Sequence, residues 1–322
     1  SGTVESLGRT RSGETWAATR EGDLMEFTGD GHLRQMGSCG VPLWRASTTD
    51  SLDRVWLGTY GFGLLCYDES RVTSTDAARG LPADDVQGVT AMGDQVWAAT
   101  SKGLVAVDGA VLPELVGDST SYQIADVTAV TADSDGRLWI GKRNGAVYVV
   151  EDGALIQCDK AGPLRRHRVD SIVGDGAGGV WAASSYGAGV AHFRSSQDLV
   201  CYDAEREGVI PARVSAMAIG PEGTIFFASA GAQDGVGVVE YDGETFEKVE
   251  GVASGPISAM CFDQDGRMWL GSEEGLTVYD RDFATSFGIE DGLSSELVTS
   301  LFCDQINRIW IGTEGGGVCV YD

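Results

Sequence analysis

An all-β fold of repeated units is predicted by three features of this 322-residue sequence. A short Trp-centred strand recurs along the whole chain, glycine-rich turns separate the strands, and no segment shows the 3.6-residue period of a helix. Repeats of about 40 residues built from short strands are typical of a β-propeller, and eight copies predict eight blades. The copies are ETWAAT (Trp16), RVWLGT (Trp56), QVWAAT (Trp97), RLWIGK (Trp139), GVWAAS (Trp181), TIFFAS (Phe226), RMWLGS (Trp269) and RIWIGT (Trp310).

Each copy reads as four antiparallel strands. An alternating first strand leads through an Asp-Gly turn to the Trp strand, and a turn ending in Gly leads to a third strand and a more polar fourth segment. The last copy lacks a fourth segment, so either that blade has three strands or its fourth strand lies outside this sequence. Seven blades are less favoured, because one Trp-bearing unit would be left unpaired. We place the repeats near 4–42, 43–84, 85–125, 126–167, 168–212, 213–255, 256–296 and 297–322, forming a single domain of a longer receptor.

Composition limits the partners of this protein. Forty-six glycines against seven prolines, with 43% hydrophobic residues, indicate a folded protein with many tight turns. A net charge of −25 repels nucleic acid and anionic lipid, so we expect no nucleic-acid partner. No run of 18 apolar residues is present, so we expect membrane attachment only through flanking segments.

The seven cysteines form no CxxC pair and lie mostly in apolar strands, for example LLCYD around Cys66 and AMCFD around Cys261. This pattern indicates small buried hydrophobic residues, with one or two disulfides left open.

Three segments carry a family resemblance: GLPADDVQGVTA (80–91), GVIPARVSAMAI (208–219) and GLSSELVTSLFCD (292–304). Each is followed by a Trp-type strand, and this pairing resembles the two-component regulator propeller repeat. The resemblance implies an extracytoplasmic input domain of a bacterial sensor kinase, often glycan-responsive, with no fixed catalytic motif. Family members commonly contain two seven-bladed rings and a β-sandwich, whereas this sequence shows eight copies and no sandwich. We therefore expect a periplasmic or cell-surface location, with a homodimer of the full receptor left open.

Propeller geometry places the turns between second and third strands, and the linkers between blades, on one face, which we call the linker face. The Asp-Gly turns lie on the opposite face, the Asp-Gly face. On the linker face, KAGPLRRHR (160–168) and the turn at 141–145 bring basic residues to the junction of blades 4 and 5. We predict a ligand-binding set of Lys142, Arg143, Arg165, Arg166, His167, Arg45, Trp44, Tyr60, Tyr122 and Tyr186.

These residue types favour a small anionic or carbohydrate-like ligand. Arginine binds carboxylate or sulfate through two parallel hydrogen bonds, and aromatic side chains stack on sugar rings. Lys160 and Arg168 belong to the same cluster, and Arg20, Lys102 and Arg213 could extend it around the rim. The alternative left open is that the basic side chains only balance nearby acidic loops.

We predict no enzyme activity and no metal or cofactor. The three histidines, His32, His167 and His192, fall in different repeats and none has metal-ligand spacing. Virginiamycin-type lyases have a similar propeller but use a closely spaced His pair, which this sequence lacks. The turns DSDGRLW and DQDGRMW resemble sialidase Asp-boxes and calcium loops without their full spacing. A protein-interaction platform and a propeller lyase or hydrolase with an unrecognised site remain the alternatives.

Overall fold

The structure is a computed structural model that describes residues 2–10, 12–28, 33–41, 43–68, 71–93, 95–107, 121–122, 124–158, 164–187, 189–204, 210–229, 231, 237–252, 255–280 and 283–322. At 33, 43–45 and 121–122 only the backbone is described.

Thirty-one strands in the described part of the chain form eight antiparallel sheets, one for each predicted repeat. The strands of blades 1 to 4 are β1 (Val4–Arg9), β2 (Thr15–Thr19), β3 (Asp23–Phe27), β4 (Leu33–Ser38), β5 (Leu43–Thr49), β6 (Val55–Thr59), β7 (Leu64–Asp68), β8 (Arg71–Thr75), β9 (Val86–Met92), β10 (Gln95–Thr100), β11 (Leu104–Val107), β12 (Ser121–Tyr122), β13 (Val127–Ala132), β14 (Leu138–Lys142), β15 (Val147–Glu151) and β16 (Ala154–Gln157). Those of blades 5 to 8 are β17 (Ser171–Gly174), β18 (Val180–Ala183), β19 (Gly189–Phe193), β20 (Leu199–Asp203), β21 (Val214–Ile219), β22 (Ile225–Ser229), β23 (Val238–Tyr241), β24 (Phe246–Lys248), β25 (Ile257–Phe262), β26 (Met268–Ser272), β27 (Gly275–Asp280), β28 (Phe283–Phe287), β29 (Val298–Cys303), β30 (Ile309–Thr313) and β31 (Gly317–Tyr321). Short 3₁₀ turns occur at Ala77–Arg79, Pro221–Gly223 and Ile289–Asp291.

The predicted eight-bladed propeller is confirmed. Seven blades have four strands in sequence order, and the eighth has three, β29, β30 and β31. The first strand of each blade contacts the first strands of both neighbouring blades, and β29 contacts β1, so the inner strands form a closed ring. The prediction left two options for the last blade, and within residues 1–322 it is three-stranded.

The recurring Trp side chains pack between blades. Trp16 of blade 1 is buried against Val55 and Leu57 of blade 2. Trp139 of blade 4 is buried against blade 5, with its ring centroid 5.8 Å from that of Phe193. Each hydrophobic core cluster is therefore an interface between two sheets, and burial of large aromatic surface there holds the ring together.

The first strands share an irregularity that points a hydroxyl group at the next blade. In five blades the register of the first strand shifts after its opening Val or Ile, which marks a β-bulge. The bulged Thr128 donates a hydrogen bond of 2.6 Å to the carbonyl oxygen of Val169 in the next blade. Ser258 and Thr299 make the same bond, and Thr299 makes it to Val4 across the ring closure.

All seven cysteine thiols are free. Burial raises the pKa of the Cys66 thiol to about 12 and also raises that of Cys261. Cys66 is therefore a small buried hydrophobic residue, as the sequence indicated, whereas Cys261 is half-buried, and none of the seven cysteines is in a disulfide. In the described part of the chain, we find no helix whose length and hydropathy would allow it to cross a bilayer.

Candidate functional site on the linker face

Backbone hydrogen bonds define the linker face. In four blades the turn after the second strand donates a backbone N–H to the residue just before the first strand of its own blade, as in Arg20 to Thr3 (2.7 Å), Arg143 to Asp126 (2.9 Å) and Glu314 to Leu297 (2.8 Å). These turns and the linkers between blades therefore meet on the same side of the disc, as propeller geometry predicts.

At the junction of blades 4 and 5, the turn at 142–145 is in direct contact with the linker at 164–168. The N–H of Arg166 donates to the carbonyl oxygen of Asn144 (3.0 Å), and that of His167 donates to Leu164 (2.9 Å). Gly145 has a φ of 83°, and a Cβ there would collide with the Leu164 carbonyl oxygen. Only glycine lets the linker pass this close to the turn.

A cavity of about 240 Å³ lies between this turn and the linker. Both arginine side chains are exposed at its edge, and the side-chain amides of Asn144 and Gln157 supply further polar groups. Among the described residues, no carboxylate lies within ion-pair distance of Arg165 or Arg166. The lining consists of Asn144, Gly145, Ala146, Gln157, Cys158, Arg165 and Arg166.

The backbone of Arg166 is strained. Its φ of 70° lies in the left-handed region, which non-glycine residues occupy rarely and at a cost of about 1–3 kcal/mol. The bond from its N–H to Asn144 holds that conformation and keeps the side chain on the cavity edge.

The neighbouring basic residues have other contacts. The Nζ of Lys142 lies 5.7 Å from the ring centroid of Tyr148, and Arg143 is exposed on the turn. His167 is half-buried in the linker, while the Nε of Arg168 lies 2.8 Å from Asp170. Arg165 and Arg166 are therefore the two basic side chains that face the cavity, with Lys142, Arg143 and His167 around them.

Of the predicted aromatic residues, the two whose side chains are described, Tyr60 and Tyr186, do not line this cavity. Tyr60 and Tyr186 are 59% and 67% exposed on the turns of blades 2 and 5, and Arg213 lies 5.6 Å from the Tyr186 ring centroid. The backbone of Trp44 and Arg45 lies on β5 and that of Tyr122 on β12, but their side chains fall outside the described residues, as does Lys160.

The expected extension of the basic rim through Arg20 is not observed. Its guanidinium lies 2.5 Å from buried Glu5 and 3.5 Å from Glu314 of blade 8. The hydrogen bond and charge of Glu5 raise the pKa of Arg20. Arg20 is therefore an ion-pair partner at the ring closure. The unpaired positive charge on this face thus covers a smaller area than the sequence indicated.

A second cavity was not predicted. It has a volume of about 430 Å³, lies beside the turn of blade 2, and mixes apolar and acidic groups. No single sequence motif could reveal it, because four separate segments form it. Its lining is Cys39, Val41, Gly61, Phe62, Leu65, Val72, Ser74, Asp76, Ala78 and Asp84.

The Asp-Gly face carries a side-chain cluster that is repeated in several blades. In blade 8, Asp304 Oδ2 accepts from Arg308 Nε (2.8 Å) and Trp310 Nε1 (2.8 Å), while its Oδ1 accepts two backbone N–H groups. We call this arrangement the Asp–Arg–Trp cluster. It recurs in Asp50–Arg54–Trp56, Asp133–Arg137–Trp139 and Asp263–Arg267–Trp269.

Blade 5 replaces the arginine of this cluster with a histidine from the third strand. His192 Nε2 lies 2.8 Å from Asp175 Oδ2, and its ring stacks on Trp181 at a centroid distance of 4.2 Å. Burial lowers the pKa of His192 despite its bond to Asp175. His192 therefore occupies a structural position on the face opposite His167.

The carboxylates that resemble calcium or sialidase motifs are thus already bound by protein groups. Among the described residues, no group of three or more His, Cys, Asp or Glu side chains is arranged to hold a metal ion.

Comparisons with known proteins agree with the fold. Residues 251–274 and 292–315 match the family described as the two component regulator propeller, and the second segment contains the GLSSELVTSLFCD motif. Among curated proteins, none matches this sequence.

Three solved structures share the architecture. A computationally designed protein, Ika8, has 14% identity and a TM-score of 0.75 over 99% of this chain and 96% of that one. Virginiamycin B lyase from Staphylococcus aureus has 14% identity and a TM-score of 0.62 over 83% and 91%. The extracellular domain of a putative hybrid two component system from B. thetaiotaomicron has 19% identity and a TM-score of 0.54 over 100% and 52%.

At these identities the likeness is one of fold, and this chain spans about half of the length of the B. thetaiotaomicron domain. The predicted resemblance is confirmed by the matched segments: this chain is a β-propeller that contains two component regulator propeller repeats, at residues 251–274 and 292–315.

Proposed function

We propose that this propeller is the extracytoplasmic sensor domain of a bacterial two-component-type receptor and binds a small anionic or carbohydrate-like ligand on its linker face. The matched repeats and the similarity in fold to a two-component extracellular domain support the sensor role. The observation that carries the ligand class is the pair of exposed guanidinium groups, Arg165 and Arg166, at one cavity in a chain of net charge −25.

The chemistry of the cavity fits an acidic sugar or a small carboxylate. Two adjacent guanidinium groups can each hold a carboxylate or sulfate through paired N–H···O bonds, while the Asn144 and Gln157 amides can bind hydroxyl groups. The described lining holds no histidine or carboxylate that could act as a general acid or base, so the proposal is binding without catalysis.

Signalling requires the ligand to favour one of two receptor states. Because packed aromatic interfaces fix the blades to each other, we propose that binding alters the geometry of the receptor dimer rather than refolding the ring. Small-angle scattering of the full extracellular region with and without ligand tests this step, and identical profiles would contradict it.

The ligand proposal is tested by a thermal-shift screen against galacturonate, glucuronate, sulfated glycans and small carboxylates, followed by calorimetry of the hit. Arg166→Gly is the sharpest variant, because it removes the charge at a position whose φ suits glycine and so leaves the fold intact. We expect at least a tenfold loss of affinity for Arg166→Gly and for Arg165→Ala.

Arg194→Ala is the matched control, since this exposed arginine lies in the turn between β19 and β20 on the Asp-Gly face. Unchanged affinity in the double variant Arg165→Ala, Arg166→Gly would show that this cavity is not the binding site.

A further inference from the structure

The cavity beside the turn of blade 2 has no part in the proposed function. Three segments of blade 2 line it, namely the turn after β6, the strands β7 and β8, and the linker to blade 3, and the linker from blade 1 completes it. Its volume of about 430 Å³ falls within the range of roughly 300–1,000 Å³ that is usual for small-molecule sites. The cavity is therefore large enough for a ligand of its own.

This cavity occupies the same place in blade 2 as the cavity of Arg165 and Arg166 does in blade 4. Each lies between the turn after the second strand, the end of the fourth strand and the linker to the next blade. In blade 2 the charged residues of the lining are Asp76 and Asp84 instead of two arginines. The two cavities therefore have opposite charge, and we expect their ligands to differ in charge as well.

Two carboxylates at the blade 2 cavity have no basic partner in the described part of the chain. Asp84 Oδ1 accepts a backbone N–H of the linker (2.6 Å), which leaves its Oδ2 available. Asp85 Oδ1 lies 3.8 Å from the position that a Cβ on Gly61 would take, so this carboxylate is at the cavity edge. Asp76 differs, because Arg79 Nη1 lies 3.5 Å from its Oδ2 and offsets its charge. The net charge at the edge is therefore negative.

The rest of the lining is largely apolar. Leu65 is buried, whereas Val72 on β8 and Phe62 on the turn are exposed, and Val41 joins them from the linker of blade 1. A ligand that covers these side chains removes apolar surface from water, and an aromatic ring such as that of Phe62 also attracts a cation to its face. The lining thus suits a molecule with a positive charge and an apolar body.

We propose that the blade 2 cavity binds a small organic cation, a primary amine on an aromatic or aliphatic body. Its ammonium group donates hydrogen bonds to the carboxylates of Asp84 and Asp85, and its body packs on Phe62, Leu65 and Val72. This ligand has the opposite charge to the one proposed for blade 4 and uses a different cavity. The outcome of its test is therefore independent of the proposed function.

The test uses calorimetry on the whole 322-residue chain with tryptamine, phenethylamine and hexylamine as probes. Tryptophol, which has a hydroxyl group in place of the ammonium, and indole-3-propionate, which carries a negative charge, are the ligand controls. Tryptamine should bind saturably, and each control should bind at least tenfold more weakly. Equal binding of tryptamine and tryptophol, or no saturation by any of the three amines up to about 5 mM, would overturn the proposal.

Two protein variants locate the site. Asp84→Asn removes the charge but keeps the carbonyl oxygen that accepts the backbone N–H of the linker, and Val72→Lys places a positive charge at an exposed position of the lining. Each should weaken tryptamine binding at least tenfold. Melting temperatures confirm that both variants are folded.

Glu273→Gln is the matched control, since this exposed residue lies on the turn after β26 of blade 7, on the same face but away from the cavity. It removes one negative charge, as Asp84→Asn does, and should leave the affinity for tryptamine unchanged. Equal losses in the two variants would mean that the amine is attracted only by the net charge of −25, and would overturn the proposal.

Discussion

Asp304 is a carboxylate buried at the base of blade 8, with a side chain only 3% exposed. Burial alone would raise its pKa, but hydrogen bonds from Trp310 and Arg308 and from the backbone N–H of Ile306 outweigh burial and lower it. The same balance lowers the pKa of Asp133 in blade 4. These residues therefore hold a charge that stabilises the fold, since the folded state binds the proton less tightly than the unfolded chain.

We expect Asp304→Asn to destabilise the protein by about 3 kcal/mol at neutral pH, because it breaks a buried ion pair and leaves Arg308 without its main partner. A lowered folded-state pKa gives a contribution that is complete above the unfolded value, near 3.9, and is lost as the pH falls through the folded value. The difference in melting temperature between wild type and variant should therefore shrink below about pH 4.

Thermal unfolding from pH 7 to pH 3 measures this dependence. Glu290→Gln, at an exposed acidic residue, is the control and should change the melting temperature little across the range. A difference for Asp304→Asn that stays constant down to pH 3 would contradict the assigned role of the charge.

The sequence analysis anticipated only part of this cluster. It assigned the Asp of DSDGR and DQDGR to the turn, which is correct, since Asp133 and Asp263 accept the backbone N–H groups two and four residues later. It missed the bonds from Arg and Trp, although the spacing D-x-x-x-R-x-W was visible in four repeats. His192 could not have been found this way, because it reaches Asp175 from a different strand.

The turn between the second and third strands of blade 7 needs glycine because of its backbone conformation and because the fourth strand passes close to it. Gly275 opens β27 with a φ of 116°, and a Cβ there would collide with the carbonyl oxygen of Phe287 in β28. Both the backbone conformation and the approach of the fourth strand therefore require glycine.

We expect Gly275→Ala to lower the free energy of unfolding by at least about 1 kcal/mol, from strain at positive φ together with displacement of β28. Gly288→Ala is the matched control, because Gly288 has a φ of −120° and open space at its Cβ position. Urea denaturation of both variants measures the effect. If both substitutions lowered the free energy of unfolding equally, the positive φ of Gly275 and the close approach of β28 would not be what makes glycine necessary there.

The bulged first strand links neighbouring blades through one hydroxyl group. We expect Thr128→Val to cost about 1 kcal/mol, because the buried carbonyl oxygen of Val169 loses the bond from Thr128 Oγ1 while the side-chain volume is kept. Thr131→Val, on the same strand, is the control for the loss of a hydroxyl, and thermal unfolding compares the two. Identical melting temperatures for Thr128→Val and wild type would mean that the bond adds nothing to the interface.

At the scale of the whole molecule, the repeat length of about 40 residues and the number of copies predicted the fold, because every blade has the same order of strands and turns. The candidate site was less predictable, since it depends on which individual side chains contact each other in the folded protein. The basic linker at 164–168 and the turn at 142–145 are close in sequence, so their contact could be inferred. The pairing of Arg20 with Glu314 joins residues at opposite ends of the chain and exists only because the ring closes.

Within residues 1–322, blade 8 has three strands at its interface with blade 1, whereas each of the other blades has four. This interface is held by the bond from Thr299 to Val4 (2.6 Å), the bond from the Gly315 N–H to Thr3 Oγ1 (3.2 Å) and the packing of Phe27 on Trp310. Fewer covering contacts mean that local opening should cost less free energy here than at a complete interface.

We therefore expect Thr299→Val to increase amide hydrogen exchange throughout β1 and β29–β31 at least severalfold, because the bond that it removes lies at the weakest interface. Thr128→Val removes the same bond from the interface of blades 4 and 5, where complete fourth strands remain, and should raise exchange in β13 and β17 much less. Mass spectrometry under native conditions measures both variants. Equal increases at the two interfaces would show that, in the 322-residue chain, the interface of blades 8 and 1 is as stable as that of blades 4 and 5.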